Sequence, residues 1–278
     1  MTKTTSLEVL KNGLKFYRNA QTIYDIQSPF LYSLLIALKD KSFSTNRSLL
    51  KIEKLRAVLK KNKLLVEGID YGAGSRKKGS KNTIGSIIKT ASSTKKAGII
   101  LHNLVKFSNA AVVLELGTNL GIGTSYLASA GNPIVYTIEG NKGMVEIARQ
   151  NFSELGLKNV KSFHGTFKDV IPQLSISNID LIFIDGHHNG QATIEYVEML
   201  RPLLNTPGLI VLDDINWSTD MKKAFHYLIR QPYVSSYLDL FHKGILIFNP
   251  NLVETPGIQY IPYFLKPWRI GLWGGKQL

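Results

Sequence analysis

Residues 111–130, AVVLELGTNLGIGTSYLASA, decide the fold of this chain. An apolar, β-branched run ends near Glu115, a turn with glycines follows, and the next residues have the apolar periodicity of a helix. Strand, tight loop and helix in this order form a ligand pocket at the carboxyl end of a strand in α/β folds. The glycines lie at Gly117, Gly121 and Gly123, a spacing that differs from the G-x-G-x-x-G loop that holds a pyrophosphate.

A carboxylate further along the chain completes this pattern. Glu139 closes the next apolar run, VYTIE, 22 positions after Gly117. A carboxylate at the end of that strand can accept hydrogen bonds from both hydroxyls of a ribose. The loop and Glu139 together predict a nucleoside ligand without a diphosphate. In the alternative interpretation, the glycines only permit a tight turn in a doubly wound domain.

The segment ELGTNLGIGT resembles motif I of the class I S-adenosylmethionine-dependent methyltransferases. The downstream segments resemble the O-methyltransferase branches of that family, both catechol-type and sugar-type. The resemblance covers about residues 97–248, whereas the first hundred residues resemble only one bacterial subgroup. It implies a Rossmann-like α/β fold and S-adenosylmethionine as the cofactor. The cofactor-binding residues that it implies are Glu115, Gly117, Thr118, Gly121, Gly123, Glu139, Gly140, Gly165, Thr166, Phe167 and Asp185.

Two of these positions depart from the pattern of many relatives. Thr166 stands where many have an aspartate that accepts a hydrogen bond from the adenine amine, and a threonine hydroxyl accepts that bond less strongly. Gly123 stands where many O-methyltransferases have a serine. We therefore expect only backbone amides to reach the methionine carboxylate of the cofactor.

Strand and helix patterns alternate along the rest of the chain, as in a parallel sheet with crossover helices. Only His242 and Lys243 separate the last two apolar runs, VSSYLDLF and GILIF, which predicts an antiparallel hairpin. A dinucleotide-binding domain would normally end with a parallel strand instead. We predict a seven-stranded, mostly parallel sheet with a terminal antiparallel hairpin. Before that hairpin, strands are expected near 111–116, 134–139, 160–164, 179–184 and 208–213, and helices near 121–130, 142–154, 167–174, 190–203 and 218–230.

Three aspartates follow strongly apolar strands and form a candidate metal site. Asp185 follows one strand, and Asp213 and Asp214 follow the next, so these carboxylates are expected at one edge of the sheet. They would repel one another unless a positive group lies between them, and carboxylate oxygens suit Mg²⁺ or another divalent cation. The metal-dependent O-methyltransferases resemble this layout, which implies a cation that binds two vicinal oxygens of the acceptor. Alternatively, each carboxylate caps the following helix, or Asp185 contacts only the cofactor.

The candidate catalytic residues are His187, His188 and Asp185. An imidazole titrates near working pH and can act as a general base. His188, three residues after Asp185, matches the base position in one group of sugar methyltransferases. The alternative is that both histidines lie on the surface without a catalytic role.

Charge is distributed unevenly along the chain, whose net charge is +14. Residues 1–114 contain 21 Lys or Arg and 6 Asp or Glu, whereas residues 115–278 contain 13 and 14. The basic residues are densest between 76 and 96, after DYGAGS at 70–75, which imitates motif I but has no helical pattern behind it. We interpret residues 70–96 as a basic lid or turn. The excess charge suits an anionic partner, such as a nucleic acid, a phosphorylated metabolite or an acidic lipid surface, or only a solvated surface.

Composition excludes several classes of protein. The chain contains no cysteine, so disulfides, thiolate metal sites and cysteine nucleophiles are absent. Its first residues lack the apolar core of a signal peptide, and no apolar run approaches the ~18 residues of a membrane span. We therefore expect a cytoplasmic protein without integral membrane association.

The sequence predicts a division into three regions. These are a basic helical extension and lid at 1–96, a methyltransferase domain at 97–250, and a tail at 251–278 that packs on the domain. Helices are expected near 7–20, 29–38 and 47–60, and the apolar stretch at 29–32 could also line a pocket or a homodimer interface. The predicted activity is methyl transfer from S-adenosylmethionine to an oxygen of a small or sugar-like acceptor. The alternatives are an RNA methyltransferase and a non-catalytic cofactor-binding module.

Overall fold

The fold is built on one mixed sheet in a computed structural model that describes residues 6–40, 42–67, 82–252 and 255–270. Its strands are β1 (Val112–Leu116), β2 (Ile134–Glu139), β3 (Val160–His164), β4 (Ile179–Ile184), β5 (Leu204–Leu212), β6 (Ser236–Asp239), β7 (Gly244–Phe248) and β8 (Ile258–Gln259). They follow the order β3-β2-β1-β4-β5-β7-β6-β8. The first five are mutually parallel, and β7 runs antiparallel to both β5 and β6.

Ten α-helices accompany the strands in the described residues. They are α1 (Ser6–Asn19), α2 (Pro29–Leu38), α3 (Arg47–Leu59), α4 (Ile84–Thr90), α5 (Lys95–Ser108), α6 (Ile122–Ala128), α7 (Lys142–Leu155), α8 (Phe167–Val170), α9 (Gly190–Leu200) and α10 (Thr219–Leu228). Polar side chains cap the N-termini of several helices. Ser28 caps α2, which has a proline in its first turn, and Thr94 caps α5. No helix among the described residues has both the length and the apolar character needed to cross a membrane.

The strands contribute side chains to two apolar layers. Along β1, Val113 belongs to the cluster on one face and Leu114 to the cluster on the other, because successive side chains of a strand point to opposite faces. Helices α2, α5 and α6 cover the first face, and α9 and α10 cover the second. Burial on both faces explains the continuous apolar runs in the sequence.

The predicted parallel sheet and its terminal hairpin are confirmed, but the predicted number of strands is wrong. The structure adds β8, which lies parallel to β6. A strand of two residues has no periodicity that sequence analysis can detect. The hairpin connection is also longer than the two residues expected, since β6 ends at Asp239 and β7 begins at Gly244. This connection lies beside the carboxyl end of β5, because Gly244 pairs with Leu212.

The basic region before the sheet is described only in part. Residues 68–81, which include DYGAGS and much of the basic stretch, lie outside the described residues. Of the remainder, residues 84–90 form α4, whose Ile84, Ile87 and Ile88 are buried together with residues of α3. This part of the predicted lid is therefore a packed helix.

Candidate active site

A cavity of about 1400 Å³ lies at the carboxyl edge of the parallel strands. Residues that follow β1 to β5 contribute to its wall, and residues 90–97 face them from the segment that enters α5. Most of the site residues predicted from the sequence are brought together here. Those that line the cavity are Gly117, Glu139, Gly140, Gly165, Thr166, Phe167, Asp185, His187, His188, Asp213 and Asp214.

The loop after β1 passes close to the end of β4. Gly117 has a φ of +107°, and a Cβ on it would lie 2.1 Å from the carbonyl oxygen of Asp185. Only glycine allows this turn and this close approach. Asn119, two residues later, donates from its side chain to the carbonyl of Ala91 at 3.0 Å, which links the loop to the opposite wall.

Glu139 is held by backbone amides on both carboxylate oxygens. Asn119 N–H donates to Oε2 and Asn141 N–H donates to Oε1, each at 2.9 Å. An ionised carboxylate has about four acceptor sites on its two oxygens. The fixed carboxylate at the cavity wall can therefore accept hydrogen bonds from a pair of vicinal hydroxyls.

Four predicted cofactor residues do not line the cavity: Glu115, Thr118, Gly121 and Gly123. Glu115 is only 1% exposed and accepts hydrogen bonds from Thr124 and Thr137. Thr118 is also buried, and its hydroxyl lies 2.6 Å from that of Thr137. Burial raises the pKa of Glu115 to about 7, against hydrogen bonds that lower it. Thr118 and Glu115 are therefore joined through the Thr137 hydroxyl in a buried hydrogen-bond network.

The positive group that the acidic cluster requires is Lys243. Its ammonium donates a hydrogen bond to the carboxylate of Asp213 and is nearly inaccessible to solvent. Sequence analysis missed it because Lys243 belongs to the β6–β7 hairpin, 30 residues along the chain from Asp213. Among the described residues, no three or more histidine, cysteine and acidic side chains are arranged as ligands around one metal position. The predicted metal ligands Asp185, Asp213 and Asp214 line the cavity together, and Asp213 is bonded to this ammonium.

The other two carboxylates are perturbed by their surroundings. Burial raises the pKa of Asp185 well above its usual range, and the nearby carboxylate of Asp213 raises it further, whereas Lys243 lowers it. Burial and Asp213 also raise the pKa of Asp214, which His188 and Lys243 lower. Perturbed carboxyl groups of this kind are typical of functional sites.

The two neighbouring histidines have different partners. His188 Nε2 lies 3.9 Å from Asp214 Oδ2, and the His188 ring lies 6.1 Å from that of Trp217. His187 has a φ of +66°, and its Nδ1 is hydrogen-bonded to the hydroxyl of Tyr196 at 3.0 Å. Only His188 is therefore paired with a carboxylate of the cluster.

Thr166 and Phe167 lie where β3 turns into α8. The Thr166 hydroxyl donates to the Asp169 carboxylate at 2.5 Å and accepts from the Asp169 N–H at 3.3 Å, so it caps α8. Its single O–H donor and one of its two acceptor lone pairs are thus engaged at the start of the helix. The Phe167 ring packs beside Gly186, where a Cβ would lie 2.8 Å from it, and has an edge contact with Tyr196.

Comparisons with known proteins agree with this geometry. Residues 114–215 match the family model described as a methyltransferase domain. A curated "Putative O-methyltransferase" of Mycobacterium sp. (strain JLS) is 30% identical over 115 residues, which are 39% of this chain and 52% of that protein. The chain therefore spans about half the length of the curated relatives that it matches.

Two solved structures show the same fold. One is the O-methyltransferase from Bacillus cereus in complex with SAH, with a TM-score of 0.51 and 21% identity over 72% of this chain and 90% of that chain. The other is the O-methyltransferase TomG from Streptomyces achromogenes in complex with SAM, with a TM-score of 0.51 and 20% identity over 57% of this chain and 82% of that chain. Residues 114–215 are therefore similar to a methyltransferase domain, and the fold is shared with two solved O-methyltransferases.

Proposed function

We propose that this protein transfers the methyl group of S-adenosylmethionine to an oxygen of a small-molecule acceptor. One observation carries the proposal: the Gly117 loop, Glu139 and the paired His188 and Asp214 line the same cavity. The first two suit a nucleoside, and the pair suits removal of a proton from the group to be methylated. The methyltransferase-domain match over residues 114–215 supports the same activity.

The residues at the cavity fit the cofactor. Glu139 would accept the ribose hydroxyls, the backbone beside Gly117 would border the methionine part, and the Phe167 ring would lie against the adenine. When bound, S-adenosylmethionine supplies a sulfonium methyl group that an oxygen nucleophile can attack. The cavity volume of about 1400 Å³ exceeds the roughly 300–1,000 Å³ of a typical ligand pocket, which favours a second ligand beside the cofactor.

His188 is the proposed general base. It would take the proton from the acceptor hydroxyl as the oxygen attacks the methyl carbon, and Asp214 would stabilise the imidazolium that forms. Asp185 would position the reacting groups at the end of β4. A divalent cation does not fit the acidic cluster, because the Lys243 ammonium already bonds to Asp213.

The acceptor is proposed to be a hydroxylated small molecule. Apolar side chains, including Leu35, Leu38 and Tyr260, form a large part of the cavity lining. Such walls favour an acceptor with an apolar ring or chain over a fully hydroxylated sugar. RNA as the acceptor stays the alternative. The homodimer, the cytoplasmic location and the division at residues 96 and 250 stay predictions.

Binding and turnover test this function separately. Calorimetry is expected to show binding of S-adenosylhomocysteine and none of NAD, because the loop spacing does not suit a pyrophosphate. Methyl transfer from labelled S-adenosylmethionine would then be screened against phenols, sugars and RNA, with Glu139→Ala as the negative control. Cofactor binding without transfer to any acceptor would favour the non-catalytic module, and RNA as the sole acceptor would favour the alternative enzyme.

A further inference from the structure

Lys243 is a buried cation whose surroundings suit a catalytic task. It is 5% exposed, and its ammonium bonds to Asp213 and lies 5.0 Å from the ring centroid of Phe183. It also lines the cavity with Asp185 and Asp214. Burying a lysine is costly unless an opposite charge and hydrogen bonds compensate for the lost water. The ion pair with Asp213 compensates for this burial and places the ammonium in the cavity wall, where it can contact a bound ligand.

The fold fixes this ammonium beside the acidic cluster. Gly244 pairs with Leu212 in the antiparallel ladder, so Lys243 and Asp213 are adjacent across two strands. Within the hairpin, Leu240 N–H donates to the carbonyl of Lys243 at 2.9 Å. The ammonium is thus held by sheet register as well as by its ion pair.

The charges of the cluster also favour an ammonium over a metal. Lys243 acts electrostatically on Asp185 and Asp214 as well as on Asp213. An ammonium has three N–H donors, and within the described part of the chain one hydrogen bond from it is observed, to Asp213. A divalent cation at the same carboxylates would face repulsion from this fixed positive charge.

We propose that Lys243 replaces the divalent cation of the metal-dependent O-methyltransferases: it neutralises the carboxylates and donates a hydrogen bond to the acceptor oxygen. This role rests on the proposed function. The acceptor proton passes to His188, the C–O bond forms as the C–S bond breaks, and the electron pair of that bond stays on sulfur as a neutral thioether. Lys243 keeps its protons throughout and stabilises the negative charge that develops on oxygen.

Metal binding tests the proposal without any acceptor. Protein freed of metal is titrated with Mn²⁺ and followed by electron paramagnetic resonance, using wild type, Lys243→Gln and the exposed control Lys223→Gln. We expect no specific Mn²⁺ site in wild type or in the control, because the ammonium opposes it. Lys243→Gln should bind Mn²⁺ at least about tenfold more tightly than wild type does, because the three carboxylates then have no ammonium beside them. The added Asp213→Asn change should abolish that gain.

Turnover provides the second measurement once an acceptor is known. Wild-type methyl transfer should persist in excess EDTA, and Lys243→Gln should lower kcat by about 10²-fold while leaving the affinity for S-adenosylhomocysteine within about twofold. If Lys243→Gln does not fold, Lys243→Arg is used, which retains the charge and should bind no Mn²⁺. A specific Mn²⁺ site in wild type, or loss of activity in EDTA, would overturn the proposal. So would a Lys243→Gln protein with unchanged Mn²⁺ binding and unchanged kcat. Absence of any methyl transfer would instead contradict the proposed function. The Mn²⁺ titration needs no turnover, so it tests the role of Lys243 separately.

Discussion

The imidazole of His188 lies 3.9 Å from the carboxylate of Asp214, although the two residues follow different strands, β4 and β5. The strands are neighbours in the sheet, so their carboxyl ends bring the imidazole and the carboxylate to the same wall of the cavity. A neutral imidazole beside a carboxylate can accept a proton and be stabilised once charged. This pair therefore distinguishes His188 from its neighbour.

Substituting the two histidines separately tests this assignment. His188→Asn should lower kcat by about 10²–10⁴-fold, the usual contribution of a general base, with little change in cofactor affinity. His187→Asn is the matched control, because His187 is hydrogen-bonded to Tyr196 and not to the acidic cluster. Steady-state kinetics of both variants would decide. A large loss of kcat in His187→Asn alone would assign the base to His187.

Glu139 should dominate recognition of the ribose. Glu139→Ala removes the carboxylate that Asn119 and Asn141 hold in place, and binding of S-adenosylhomocysteine should weaken by about 1.5–3 kcal/mol. Titration calorimetry measures the change, with the exposed Glu146→Ala as a control that leaves affinity unaltered. Equal affinities of wild type and Glu139→Ala would contradict the ribose assignment.

The buried Glu115 should make stability depend on pH. Its pKa is raised from 4.5 to about 7 in the folded protein, so the folded state holds this proton more tightly than the unfolded chain does. The stabilisation that this proton gives to the folded state is fully present below pH 4.5 and is lost as the pH rises through about 7. As the pH rises through this range, the unfolding free energy of wild type should fall by up to about 3 kcal/mol more than that of Glu115→Gln, which mimics the protonated form. Urea unfolding at pH 5 and pH 8 measures this difference, and parallel pH profiles of the two proteins would disprove it.

The tail at residues 255–270 should depend on Lys266 for its packing. This buried ammonium donates to the carbonyls of Arg18 at 3.1 Å and Ala20 at 2.7 Å, which join the tail to the end of α1. Lys266→Ala should lower the free energy of unfolding by about 1.5–3 kcal/mol and should accelerate proteolysis of the tail. Limited proteolysis with the exposed Lys223→Ala as control checks this. Identical cleavage rates in both variants would mean that other interactions hold the tail.

The basic region should determine any binding of a polyanion. Replacing lysines of this region by glutamine should reduce the salt slope of binding to single-stranded RNA by about 0.7 for each phosphate that is then not neutralised. The substitutions are at Lys77, Lys78, Lys95 and Lys96, of which the first two lie outside the described residues. A control variant carries four substitutions at exposed lysines after the basic region: Lys142, Lys158, Lys161 and Lys223. If RNA does not bind even at low salt, the region is only a solvated surface.

Much of the sheet and the position of the cavity could be predicted because they depend on local patterns. The run ending at Glu115 and the glycine loop after it identify strand, turn and helix, and the parallel order of strands then places their polar ends at one edge. Asp185 and Asp213 reach the cavity wall for this reason. The two-residue β8 carried no such pattern, so the eighth strand was missed.

The sequence by itself determined which side chains end the strands, because strand periodicity and chain order are properties of neighbouring residues. Only the tertiary structure decided which partners those side chains meet. Sheet register brings Lys243 to Asp213, and the turn after β4 directs His188, not His187, toward Asp214. Packing likewise buries Glu115, which was predicted to bind the cofactor and does not line the cavity. Such interactions join residues far apart in the chain, and their distances depend on how whole elements pack.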